Sequence, residues 1–132
     1  MSERTDLVKA WVEKRDHDLG SAKVIFLNLP EYFDTIAFHC QQAVEKYLKS
    51  SLVFFKIEPP KSHDLVYLLE ILSRHIPIND SFFKDAITLN GYGVIIRYPN
   101  EKIFLTTLEI EKAITLAEKF RIFILSSISL EN

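Results

Sequence analysis

The 132-residue chain has one cysteine, one methionine, one tryptophan, three glycines and five prolines. A single cysteine excludes an internal disulfide and fits a reducing compartment. So few glycines and prolines favour long helices over many-turned β structure. No run of about 18 apolar residues occurs, so no membrane span is expected. The opening residues Met1-Ser2-Glu3-Arg4-Thr5-Asp6 are charged, with no apolar signal segment behind them, so a cytoplasmic protein is expected. Acidic and basic residues nearly balance, 18 against 16, and the pI is about 6.1. That excludes a broad basic surface for duplex nucleic acid but leaves room for local basic patches. There is no internal repeat and no low-complexity tract. His17, His39, His63 and His75 are scattered, and none has a second His or Cys at ligand spacing, so no metal or cofactor is called for. Gly91-Tyr92-Gly93 lacks the glycine, lysine and helix that a phosphate-cradling loop needs.

What is present is apolar and periodic. The chain is 48% hydrophobic with ten phenylalanines, enough for one core and one domain. The central stretch is Phe38-His39-Cys40-Gln41-Gln42-Ala43-Val44-Glu45-Lys46-Tyr47-Leu48-Lys49. Cys40, Val44, Tyr47, Ser51 and Phe55 lie on one helical stripe there, widened by Phe38, Leu48 and Leu52. This reads as the central helix of a bundle, with Cys40 as a small core residue. A polar row, Gln41, Glu45 and Lys49, runs beside the stripe and either supplies a site or sits in water. Before it, Leu7, Val8, Trp11, Leu19, Ala22, Ile25 and Phe26 predict a helix from about Thr5 to Asn28. Asp18, one heptad after Trp11, either pairs with Lys14 or Lys23 or aims at a shared polar cluster.

Leu29-Pro30 ends that helix and Pro30-Glu31 can start the next, which continues to about Phe55. Ile57-Glu58-Pro59-Pro60-Lys61 breaks it. Ser62 is read as the N-cap of a third helix carrying Leu65, Leu68, Leu69 and Leu72 and stopping near Pro77, with Asp64 in its first turn. Asn79-Asp80-Ser81 caps a short fourth helix through Phe82, Phe83, Ala86 and Ile87. Asn90-Gly91-Tyr92-Gly93 is expected to end it, leaving Val94 to Pro99 as a loop or a turn of helix. Thr106 and Glu109 match a capping box for a last helix bearing Ile110, Ala113, Ile114, Ala117, Phe120, Ile124 and Ile128. Leu116 and Phe123 fall off that face and suggest a subunit contact. The expected fold is all-α.

Two short segments go beyond packing. Lys61-Ser62-His63-Asp64-Leu65 places His63 at a helix start, either as a solvent-facing cap residue or as a donor or proton carrier at a cleft. Arg97-Tyr98-Pro99 offers a planar guanidinium for a phosphate and a ring for a base. Alternatively, Arg97 pairs with a carboxylate such as Asp18 or Glu45.

Together, Asp18-Leu19 with Ala22, Phe38 through Lys49, Lys61 through Leu65 and Arg97-Tyr98-Pro99 resemble the HEPN family (higher eukaryotes and prokaryotes nucleotide-binding domain). The resemblance covers nearly the whole chain, and Gln41-Gln42-Ala43-Val44-Glu45-Lys46 and the Arg-Tyr-Pro turn are its specific parts. It implies one domain over residues 1–132, an up-and-down four-helix bundle with an additional short helix, and a homodimer. It also implies a minimal nucleotidyltransferase as partner in a two-component or toxin–antitoxin pair. Many members are metal-independent ribonucleases in which an Arg is followed, after four to six residues, by a His. Arg97 fits the first position, but Lys102, Ile103 and Phe104 stand where the His would be, and no His follows His75. A neutral-range proton carrier is thus missing from the motif. The expected function is a nucleotide-binding or regulatory subunit for the nucleotidyltransferase, with Arg97, Tyr98, His63, Gln41 and Glu45 lining the site. The alternatives are a degenerate ribonuclease using Arg97 with His63 or Lys102, with nucleotide or RNA as ligand, and a structural interaction module without a ligand.

Overall fold

The computed structural model describes residues 3–97 and 106–130, excepting the side chains of residues 4, 5, 14, 93–97, 129 and 130. Five helices follow one another: α1 (Glu3–Asn28), α2 (Phe33–Phe54), α3 (Leu65–Leu72), α4 (Asp80–Arg97) and α5 (Thr107–Leu130). There is no strand among the described residues. Four long helices and the eight-residue α3 make the all-α bundle expected from the sequence.

The apolar stripe of α2 explains the arrangement. Among the described helices, α2 alone touches all four others. Its Ile36, Cys40, Val44, Tyr47, Leu48 and Leu52 are fully buried. They meet Val8, Val12, Leu19 and Ala22 of α1 and Ile110, Ala113, Ala117, Phe120 and Ile124 of α5 in one apolar cluster. Cys40 is buried in that core, and burial pushes its thiol up to about 12, as a packing residue requires.

The helix ends follow local chemistry. At the end of α2, Lys56 takes the left-handed conformation (φ 62°). Ile57 N–H donates to the Leu52 carbonyl (2.9 Å) and Lys56 N–H to that of Val53 (2.9 Å). This is a Schellman end with lysine where glycine is usual. In α5, Thr106 N–H donates to Glu109 Oε1 (3.2 Å) and Glu109 N–H to Thr106 Oγ1 (3.2 Å), the reciprocal pair of a capping box.

Three expectations need correction. First, α3 is capped by Asp64, whose Oδ1 accepts from Val66 N–H (3.0 Å) and Tyr67 N–H (3.4 Å). Ser62 instead accepts from Asp64 N–H (3.1 Å), and the helix ends at Leu72, with turns carrying the chain through Ile76. Second, α4 is not short: it runs through Asn90, Gly91 and Gly93 to Arg97. Continuing it buries Ala86, Leu89 and Tyr92 on one side, and the Asn90 side chain is occupied outside the helix, as described below. Third, Leu116 is buried within this chain, and the Phe123 ring packs on Phe82 at 4.3 Å between centroids. Both therefore serve internal packing, and among the described side chains of α5 the exposed large aliphatics are Leu108 and Ile122.

Candidate functional site

The polar row of α2 lies four residues apart, one turn each, so its side chains stack along one edge of the helix. Glu45 is buried although charged, and a buried carboxylate requires partners. It has two: His63 Nδ1 donates to Oε1 (2.8 Å), and Lys49 Nζ donates to Oε2 (3.2 Å). Gln41, also buried, donates through Nε2 to the His63 carbonyl (3.1 Å) and accepts from Gln42 Nε2 (3.0 Å). One helix thus grips both the backbone and the ring of His63. The grip occupies Nδ1 on an imidazole whose side chain is 60% exposed.

The segment carrying His63 is held from a second side. Asn90 of α4 donates through Nδ2 to Asp64 Oδ1 (2.8 Å) and accepts from Leu65 N–H (2.9 Å). Gln41, Glu45 and His63 therefore converge at the α2–α3 junction. His63 sits two residues before α3 rather than in its first turn. The Arg97 side chain, Tyr98 and Lys102 lie outside the described residues; the Arg97 backbone closes α4.

Asp18 reaches across helices rather than along its own. Its Oδ1 accepts from His39 Nδ1 (3.0 Å), and Oδ2 accepts from Lys46 Nζ. Burial alone would raise this carboxyl, but the hydrogen bonds from Lys46 and His39 outweigh it and hold the group below the ordinary aspartate value. Of the two lysines considered for it, Lys23 pairs with Glu118 (2.7 Å).

A third cluster was not foreseen. Tyr47, fully buried, donates its hydroxyl to Asp16 Oδ1 (2.5 Å), and Arg121 Nε donates to the same oxygen (2.9 Å). Burial, then the Asp16 carboxylate, pushes the phenol above its usual value. The hydrogen bond to Asp16 raises Arg121 as well. The cluster ties α1, α2 and α5 together, with the Tyr47 hydroxyl enclosed and the Asp16 and Arg121 side chains part-exposed at 28% and 33%.

Sequence reasoning also missed a groove of about 360 Å³ between α1 and α2, lined by Trp11, Arg15, Glu45, Lys46, Lys49, Ser50, Val53 and Pro59. The only hint was the heptad spacing of Trp11 and Asp18. No group of three or more potential metal ligands occurs among the described residues. None of the described helices is long and apolar enough to cross a membrane.

A central helix that buries one face and fixes a histidine with the other defines a helical bundle with a polar edge, of the kind built for carrying a site on a rigid frame. The chain belongs to the HEPN domain family, whose model matches residues 8–127. Its structure is similar to that of TT1696 from Thermus thermophilus (28% identity, TM-score 0.76), covering 89% of this chain and 94% of that one. It is also similar in fold to ST0689, an archaeal HEPN homologue, at 22% identity and a TM-score of 0.74, covering 92% and 97%. No curated protein matches the chain.

Proposed function

We propose that this protein is a nucleotide-binding regulatory subunit that acts with a minimal nucleotidyltransferase partner. The supporting observation is the His63 arrangement. A buried glutamate and a buried glutamine of α2 hold an exposed imidazole by ring and backbone at once. The ring partners the buried Glu45 and still leaves most of the imidazole open to a ligand, in an orientation fixed from beneath. Arg97 and Tyr98, close in sequence to Asn90 of the same clamp, would add a phosphate ligand and a stacking ring. Membership of the HEPN domain family supports the reading. A homodimer suits the exposed Val24 and Leu27 of α1 and Leu108 and Ile122 of α5.

The test is co-expression with the product of the adjacent gene, which the proposal expects to be a minimal nucleotidyltransferase. The two chains are expected to elute as one species at micromolar concentration. His63→Ala and Arg97→Ala are expected to abolish nucleotide-induced thermal stabilisation, which in the wild type should grow with ligand concentration by mass action. Separate elution, together with no stabilisation by any nucleotide, would refute the proposal.

A further inference from the structure

Two grooves on the α1 surface have similar size, but one is lined by balanced charge and the other by an excess of cations. The first, about 380 Å³, lies between α1 and α5 and is lined by Asp16, Lys23, Glu118 and Arg121 among others. Every charge there has a partner: Lys23 with Glu118 (2.7 Å) and Arg121 with Asp16 (2.9 Å). The second is the α1–α2 groove that shares Glu45 and Lys49 with the His63 cluster. It holds three cations, Arg15, Lys46 and Lys49, against one lining carboxylate, Glu45, and Asp18, which takes Lys46 from alongside. Lys46 and Lys49 are engaged by those carboxylates. Arg15 is exposed and has no ion pair among the described residues. The surplus charge in the groove is therefore a guanidinium, whose planar fork suits phosphate oxygens.

The rest of the groove is apolar and aromatic. Trp11 comes from α1, Val53 from α2 and Pro59 from the loop that follows. Trp11, a large apolar ring, is 36% exposed. A part-exposed indole beside an arginine with no ion pair among the described residues is a pairing that takes an aromatic base and its phosphate together. Trp11 and Arg15 are four residues apart, so they stand one turn apart on the same edge of α1. The groove volume of about 360 Å³ falls at the lower end of small-ligand clefts, roughly 300–1,000 Å³. It suits one nucleotide rather than a length of strand.

We infer that the α1–α2 groove is a mononucleotide subsite: Trp11 stacks the base, Val53 and Pro59 complete the apolar slot, and Arg15 with Lys49 holds the phosphates. The inference rests on the nucleotide-binding reading above and adds to the His63 cluster an adjoining subsite that shares Glu45 and Lys49 with it. Ligand phosphate competes with Glu45 for Lys49, which links occupancy of the groove to the carboxylate that orients His63.

Trp11 is the sole tryptophan of the chain, so its emission reports this groove alone. ATP is titrated into the full-length protein, with fluorescence and calorimetry read in parallel. Saturable quenching that tracks the calorimetric isotherm is expected. Arg15→Gln, a surface change, is expected to fold normally by circular dichroism and to weaken ATP at least about ten-fold. Trp11→Leu, followed by calorimetry, is expected to weaken it by about the same factor, the usual size of a lost base stack. Adenosine and tripolyphosphate alone should each bind more weakly than ATP. Heat of binding without quenching, unaffected by Arg15→Gln, would overturn the groove assignment while leaving the nucleotide-binding reading intact. No heat of binding at all would overturn both.

Discussion

Glu45 and Tyr47 are two residues apart on α2, which separates them by roughly 200° around the helix. Each anchors a polar cluster, and the two clusters differ in one respect. Around Tyr47, the phenol and the Arg121 guanidinium both spend their donors on one Asp16 oxygen, at the meeting of three helices. Around Glu45, the carboxylate is more enclosed than Asp16, yet the group it orients, His63, stands mostly in solvent. The two clusters have similar ingredients, so the number of charged groups does not separate a scaffold from a site. What separates them is how far the oriented group stands in solvent, 33% for the Arg121 side chain against 60% for His63. The Asp18 cluster is more enclosed than the Asp16–Arg121 pair, with a 14% exposed carboxylate and a 28% exposed histidine.

The largest expected effect tests the closed cluster. Asp16→Ala leaves the buried Tyr47 hydroxyl without its acceptor and Arg121 without its anion. A loss of about 2–3 kcal/mol in urea unfolding is expected, the usual cost of removing a charged partner from a buried donor. Tyr47→Phe removes the donor instead and leaves Asp16 with Arg121, so about 1 kcal/mol is expected. If both changes were neutral for stability but altered ligand binding, the division between scaffold and site would be wrong.

Asp18 comes next, and its effect depends on pH. Its folded-state value lies below the ordinary 3.8. The stabilisation it confers is therefore fully present above that value and disappears as pH falls through the lower, folded one. Asp18→Asn should lower stability at neutral pH by about 1–2 kcal/mol. The wild-type and variant unfolding curves should converge on acidification below 3.8. Parallel curves over the whole range would show that the Lys46 and His39 contacts carry no differential weight.

How much of this could be read in advance depends on whether a feature is local. The stripe through Cys40, Val44 and Tyr47 was legible because helical spacing alone reveals a buried face, and α2 does touch every other helix. The Thr106–Glu109 box was legible because both partners are three residues apart. The α3 cap was harder, since Ser62 and Asp64 are both good cap residues. Asp64 wins because Leu65, Leu68, Leu69 and Leu72 must all face the core, and Asn90 supports the Asp64 carboxylate from α4. The continuation of α4 could not be seen, because Asn90 and its glycines favour a break unless tertiary contacts oppose it. Burial of Leu89 and Tyr92 supplies that opposition. The Gln41–Glu45–Lys49 row was visible as a row. That Trp11 and Arg15 would face Lys49 was not, because it depends on the register between α1 and α2.

The smallest expected effects concern the frame of the open cluster. Lys56 ends α2 in a left-handed conformation, which costs a residue with a side chain about 1 kcal/mol relative to glycine. Gly91 sits inside α4, and a Cβ placed there meets nothing within 4 Å. Glycine in a helix is worth roughly 0.5–1 kcal/mol less than alanine. Lys56→Gly and Gly91→Ala should therefore each raise stability by about 0.5–1 kcal/mol. The two positions flank the segment bearing His63 in different elements, so their effects should add. Neither touches Asp16, Tyr47 or Arg121, so the cost of Tyr47→Phe should be unchanged in the stabilised background. Nucleotide affinity should also hold, because a rigidly presented imidazole gains nothing from a looser frame. A fall in affinity alongside the gain in stability would mean that the junction must move to accept its ligand, and the open cluster would then be a hinge rather than a fixed platform.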